Sequence, residues 1–175
     1  MKNAPDSDPL IIILMGVSGS GKTTVGTRLA AELGWTFYEG DDFHPPANVA
    51  KMATSMALTD EDRQPWLARL SNLIDSCLQQ GRSAVITCSA LKESYREQLR
   101  RENQRVQFVY LKGEYDTIFH RMASRRDHYM KPGMLRSQYD ALEPPTGDEA
   151  IIIGVENDVK TIVEKIREAV RTCTS

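Results

Sequence analysis

Eight residues near the N-terminus, Gly16, Val17, Ser18, Gly19, Ser20, Gly21, Lys22 and Thr23, carry the spacing G-x-x-x-x-G-K-[ST], and the chemistry of that spacing is phosphate binding. Glycine lets backbone N–H groups approach phosphate oxygens with no Cβ in the way, and a helix beginning at the end of the loop adds its positive dipole end. Gly16 to Thr23, with Thr24 behind them, are therefore the expected nucleotide-phosphate residues. Lys22 would reach the β- and γ-phosphates, and the Thr23 hydroxyl would face Mg2+. Such a loop serves phosphoryl transfer, hydrolysis and switching alike, so other residues must decide between them.

Glu39, Asp41 and Asp42 supply three carboxylates within Glu-Gly-Asp-Asp-Phe-His, directly after a strand-like run. Ligands of open α/β sheets gather at the carboxyl ends of strands, where one acid can take or orient the proton of an attacking hydroxyl and another can hold a metal-bound water. A single acid there reads equally as a turn or helix cap; three together favour chemistry. The next two strand-like runs end without an aspartate, Val-Ile-Thr-Cys-Ser running into Ala-Leu-Lys and the other carrying Lys112, which fits motor ATPases and GTPases poorly. Arg121, Arg125, Arg126, His128 and Lys131 form a cationic set suited to a closing lid. Arg121 and Arg125 lie one helical turn apart, on one face, while Arg126 and Lys131 read equally as solvated charge. Glu93, Arg96, Glu97, Arg100, Arg101, Glu102 and Arg105 alternate in sign at helical spacing, which usually means a solvated face.

These side chains need elements to hold them. Residues 10–15, Leu-Ile-Ile-Ile-Leu-Met, read as a strand buried on both faces, followed by a helix with Val25, Leu29 and Leu33 on one stripe and Gly34 at its end. Further strands are expected over 35–39, 83–89, 106–113 and 150–155. Helices are expected over 59–80 with Thr59 as N-cap, 91–103, 115–125 and 158–171. Strand and helix alternation is the pattern of βαβ units on a parallel sheet. Residues 126–133 read as a mobile loop, because Pro132 and Gly133 block a continuous helix. Trp66 and the Met52/Met56 pair are expected to pack rather than bind.

The chain has 175 residues, 41% of them hydrophobic, which suits one domain. Twenty-two Lys and Arg against 24 Asp and Glu give a formal charge of −2, so no overall attraction to nucleic acid or to an anionic membrane is expected. Cys77, Cys88 and Cys173 show no zinc-like spacing. Residues 1–9 read as a flexible tail, and the apolar run after them is too short for a signal segment or a span, so the expected location is the cytoplasm.

Taken together, these stretches resemble the gluconate kinases, within the shikimate and nucleoside monophosphate kinase-like P-loop group. The resemblance runs through Gly-Val-Ser-Gly-Ser-Gly-Lys-Thr and Glu-Gly-Asp-Asp-Phe-His-Pro with Asn48, Lys51 and Met52. It continues through Thr59 to Leu67, Cys-Ser-Ala-Leu-Lys with Tyr95 and Arg96, and Arg-Asp-His-Tyr-Met followed by Leu-Arg-Ser-Gln-Tyr. It implies an α/β, three-layer, five-stranded parallel sheet in the order 2-3-1-4-5, forming a single domain over 10–175 with a substrate-side helical insertion at about 43–80 and a lid at about 121–136. It also implies ATP and Mg2+ as cofactors, D-gluconate as the small-molecule partner phosphorylated at its 6-hydroxyl, and a homodimer. Carried over, Asp41 looks like the base, with Asp42 the alternative, and Glu39 like the acid holding the metal through water. His44, Lys51, Arg63, Ser89, Lys92, Arg96, His128 and Gln138 look like acceptor-pocket residues. Lys22 and Arg125 fall with Asp41 among the catalytic groups; by position, Arg121 and residues 154–158 after the fifth strand are expected to flank the nucleotide base. Two departures stand out: the family more often has aspartate at Glu39, and Lys131 separates Met130 from Pro132 where a proline usually follows that methionine directly.

Overall fold

The computed structural model describes residues 8–125 and 132–173. β1 (Ile11–Met15) is fully buried, as an unbroken apolar run with no polar alternation should be. Its side chains split with the period of two that a central strand imposes. Ile11, Ile13 and Met15 enter one apolar cluster, and Ile12 and Leu14 the other. β1 pairs in parallel with β3 (Ala84–Thr87) and β4 (Val106–Lys112), β2 (Thr36–Tyr38) flanks β3, and β5 (Ala150–Gly154) flanks β4. The order is therefore β2-β3-β1-β4-β5, as the resemblance implies. β1 thus sits at the middle of the sheet and delivers the phosphate loop to the centre of its carboxyl edge.

Helices close both faces. α1 (Lys22–Leu33) and α7 (Val159–Cys173) bring Val25, Leu29, Ile162, Val163 and Ile166 to one cluster. α3 (Asp60–Gln79) and α4 (Glu93–Arg100) bring Trp66, Leu67, Leu70, Ile74, Tyr95 and Leu99 to the other. Gly34 ends α1 in the left-handed region at φ 70° and turns its N–H back to the carbonyls of Ala30 and Ala31. Thr59 starts α3 with a capping box, its hydroxyl accepting from Asp62 N at 3.1 Å while Asp62 accepts from Thr59 N at 2.9 Å.

Three expectations change. The loop expected over 126–133 ends early, since α6 (Pro132–Ala141) begins at the proline itself. A ring that stops a helix from within is well placed at its first turn, where no N–H is needed. α5 (Tyr115–Ala123) stops before Arg125, so Arg121 and Arg125 do not share a helix face. The segment 43–80 divides, because α2 (Pro46–Ala53) buries only Asn48 while α3 packs into the layer beneath the sheet. Arg126, His128, Lys131 and most of the expected tail lie outside the described residues. Among the described residues no helix is long and apolar enough to cross a membrane.

Candidate active site

Gly21, at φ 97°, closes the phosphate loop and caps α1, a conformation that a residue with a Cβ adopts only under strain. Lys22 is the first residue of the helix, and its Nζ curls back to donate to the carbonyls of Gly16 and Val17, both at 2.9 Å. Burial pushes the Lys22 pKa down, and the negative charge of Asp41, with that of Glu39 behind it, opposes that push. The loop is braced from two sides. Gly16 N donates to Ser89 O at 3.2 Å from the end of β3. On α6, Gln138 accepts from Ser18 N at 2.7 Å and donates to Ser18 Oγ at 3.0 Å. Gln138, expected in the acceptor pocket, is thus held on the phosphate loop instead.

The acids sit where β2 ends, in a single 3-10 turn over Gly40–Phe43. Glu39 is gripped at both oxygens: Thr23 donates to Oε2 at 2.6 Å, and Thr87 donates to Oε1. Thr87 in turn accepts from Gly40 N at 3.0 Å. A Cβ on Gly40 would lie 1.8 Å from the Thr87 carbonyl, so only glycine lets the acidic turn lie this close to β3. Thr87 is a site residue that sequence reasoning missed, since a buried threonine in a strand looks like any other β-former.

Asp41 is the exposed acid of this turn, its side chain 75% exposed. The protein around it raises its pKa above the ordinary carboxylate value, and Lys22 is the first charge acting against that rise. Most of the carboxyl meets water, so solvent screens the rise. His44 stacks on Trp66 with ring centroids 4.2 Å apart, and Trp66 Nε1 donates to Gly40 O at 2.8 Å. Trp66 packs as expected and also props the acidic turn. Desolvation lowers the His44 pKa to about 4, so the ring is neutral at physiological pH.

The expected pocket cations separate. Lys51 spans both oxygens of Asp62 at 2.7 and 2.8 Å, and that contact leads the causes that lower the Asp62 pKa to about 2. Lys92 holds Asp60 at 2.9 and 3.1 Å, and the Tyr95 hydroxyl donates to the same carboxylate. Arg96 is buried and pairs with Glu149 at 2.5 Å, and it also donates to Ala90 O at 2.9 Å. This corrects the solvated face expected for it, and the guanidinium supports a turn in which Ala90 has φ 42°. Arg63 lies over the Tyr95 ring at 5.8 Å and has no carboxylate partner among the described residues, while its charge acts on Asp41, His44 and Asp60. Arg121 donates to Val155 O after β5, and Arg125 is exposed beyond the end of α5. Burial pushes the Cys88 thiol up to about 12, which leaves it inert as a nucleophile.

A family model described as an AAA domain matches residues 11–145. The thermosensitive gluconokinase of Escherichia coli K12 is 44% identical over 160 residues, covering 90% of this chain and 86% of that protein. The gluconokinase of Gluconobacter oxydans 621H is 45% identical over 159 residues, covering 90% and 89%. Among solved structures, a gluconokinase from Sinorhizobium meliloti 1021 superposes with a TM-score of 0.82 at 39% identity, covering 91% of this chain and 90% of that one.

Proposed function

The chain belongs to the gluconokinase family, and on that premise we propose that it transfers the γ-phosphoryl group of ATP to the 6-hydroxyl of D-gluconate. The observation that carries this reading is the junction of the phosphate loop with the acids after β2: Lys22 curls over the loop carbonyls, and Thr23 donates to Glu39 at 2.6 Å, two residues before the exposed Asp41. In the reaction the hydroxyl oxygen bonds to the γ-phosphorus, the bond to the bridging oxygen breaks, and ADP leaves. Asp41 orients the hydroxyl and takes its proton, and Lys22 compensates charge on the transferring group. Arg63, unpaired with any described carboxylate, suits the carboxylate of the acid. Ser89 lines the hydroxyl side, His44 stands behind Asp41, Lys51 and Lys92 form the rim, and Arg96 and Gln138 act by holding the loops beside it. Arg121 borders the nucleotide base, and Arg125 belongs to the lid.

Thr23 and Glu39 set a hydroxyl and a carboxylate side by side at the phosphate loop, Thr23 donating to Glu39 at 2.6 Å, and hard oxygens of this kind suit a small dication. Among the described residues no three His, Cys, Asp or Glu side chains group into a metal cage, and Mg2+ needs none, since it takes one or two protein oxygens plus phosphate and water. When bound, Mg2+ would neutralise charge on the phosphates, with Thr23 as ligand and Glu39 holding one of its waters. A homodimer working in the cytoplasm completes the reading.

The test is ADP release from Mg-ATP by the purified protein against gluconate, related sugar acids, shikimate and nucleoside monophosphates. Stimulation by gluconate is expected. Stimulation by another acceptor alone would discard the substrate, and tight ATP binding with silence across the panel would favour a nucleotide sensor. Thr87→Val, which keeps shape and removes the hydroxyl that fixes Glu39, should raise the Mg2+ concentration for half-maximal rate about tenfold. Thr87→Ser should restore it. An unchanged Mg2+ titration in Thr87→Val would free Glu39 from that role.

A further inference from the structure

His44, just before α2, and Asn48, in its first turn, are both buried. Asn48 Nδ2 is 2.8 Å from the Asp62 carbonyl oxygen and 3.3 Å from His44 Nδ1. A backbone carbonyl can only accept, so the amide atom facing it must be the NH2 group. That orientation leaves the same NH2 as the donor to His44 Nδ1. The ring nitrogen must then carry a lone pair, and the single proton of the neutral imidazole resides on Nε2. His44 Nε2 lies 3.8 Å from Asp41 Oδ1, outside hydrogen-bond distance, so a bond between them requires the exposed Asp41 side chain to turn toward the ring.

We propose that Asn48 is a positioning residue which fixes His44 as the Nε2–H tautomer, so that a neutral donor is aimed at the Asp41 carboxylate and turns its other oxygen to the acceptor hydroxyl. The relay runs from the Asp62 carbonyl through Asn48 and His44 to Asp41, with Trp66 stacked against the ring to keep its plane. A neutral donor suits this place, because an imidazolium would bind the carboxylate harder and reduce its basicity. Asp62 takes part only through its backbone; its carboxylate is occupied by Lys51 and the Thr59 cap. The role of Asp41 within the relay rests on the kinase reading, whereas the tautomer does not.

The experiment is ring 15N NMR of the full-length protein near neutral pH, with His44 assigned by its loss in a variant, alongside gluconate kinetics of His44→Phe and His44→Gln. A single Nε2–H tautomer is expected, and Asn48→Leu should admit the second tautomer. His44→Phe keeps the stack on Trp66 without the donor, and should lower kcat about tenfold or more with KM for ATP unchanged. His44→Gln returns an N–H near the Nε2 position and should recover much of that loss. An Nδ1–H or charged ring in the wild-type protein would overturn the tautomer assignment, and full turnover by His44→Phe would overturn the positioning role. A wild-type protein that ignores gluconate would sink the substrate reading alone, since the ring shifts need no substrate.

Discussion

Lys22→Met should lower kcat/KM about a thousandfold, roughly 4 kcal/mol of transition-state stabilisation. Methionine keeps the aliphatic stem, so the loop should stay folded and the melting temperature close to that of the parent. What disappears is the ammonium, which donates to the carbonyls of Gly16 and Val17 and sits in the field of Asp41 and Glu39. The same change should move the pH profile. Asp41 accepts a proton only when ionised, so kcat/KM rises with pH through its pKa, which already lies above the ordinary carboxylate value. Lys22 is the first charge holding that pKa down. Its removal should push the acid limb of the profile further up, so the variant loses proportionally more activity at low pH than at high. Initial-rate kinetics across pH, with ATP binding followed separately by calorimetry, check both parts. A variant within tenfold of the parent would remove Lys22 from the transition state.

What was legible in the sequence was legible because it is local. The phosphate loop, the buried central strand, the α1 stripe and the Thr59 cap are each written within one element and obey its period. The acids after β2 are likewise a contiguous cluster. The contacts that aim these groups are long-range. Gln138 reaches Ser18 across 120 positions, Arg96 reaches Glu149 across 53, and Thr87 reaches Glu39 across 48. None alters a hydrophobic period or a turn signature. Arg96 misled for a definite reason: it lies in a sign-alternating helix that reads as solvated, yet it projects beside Tyr95 and Leu99 into the interior, where Glu149 and the Ala90 carbonyl satisfy it. Pro132 misled because proline's meaning depends on position, forbidding a helix around it and favouring one that begins with it.

Asp41→Asn should reduce kcat by roughly a thousandfold, the scale of a positioned general base, while binding of ATP and of gluconate stays within about threefold. The amide keeps the size and can still face the His44 donor with its oxygen, but it cannot take the hydroxyl proton. Asp42→Asn separates the two candidates. Asp42 is exposed, and its negative charge is felt by Asp41, but it is Asp41 that leads the charges acting on Lys22. A base must lie where the γ-phosphoryl group and the acceptor meet, and the Lys22 field marks that place. Asp42→Asn should therefore keep kcat within about threefold, with the acid limb shifted slightly down because one like charge beside Asp41 is gone. The reverse pattern, with Asp42→Asn inactive and Asp41→Asn competent, would transfer the role of base to Asp42 and detach His44 from the chemistry.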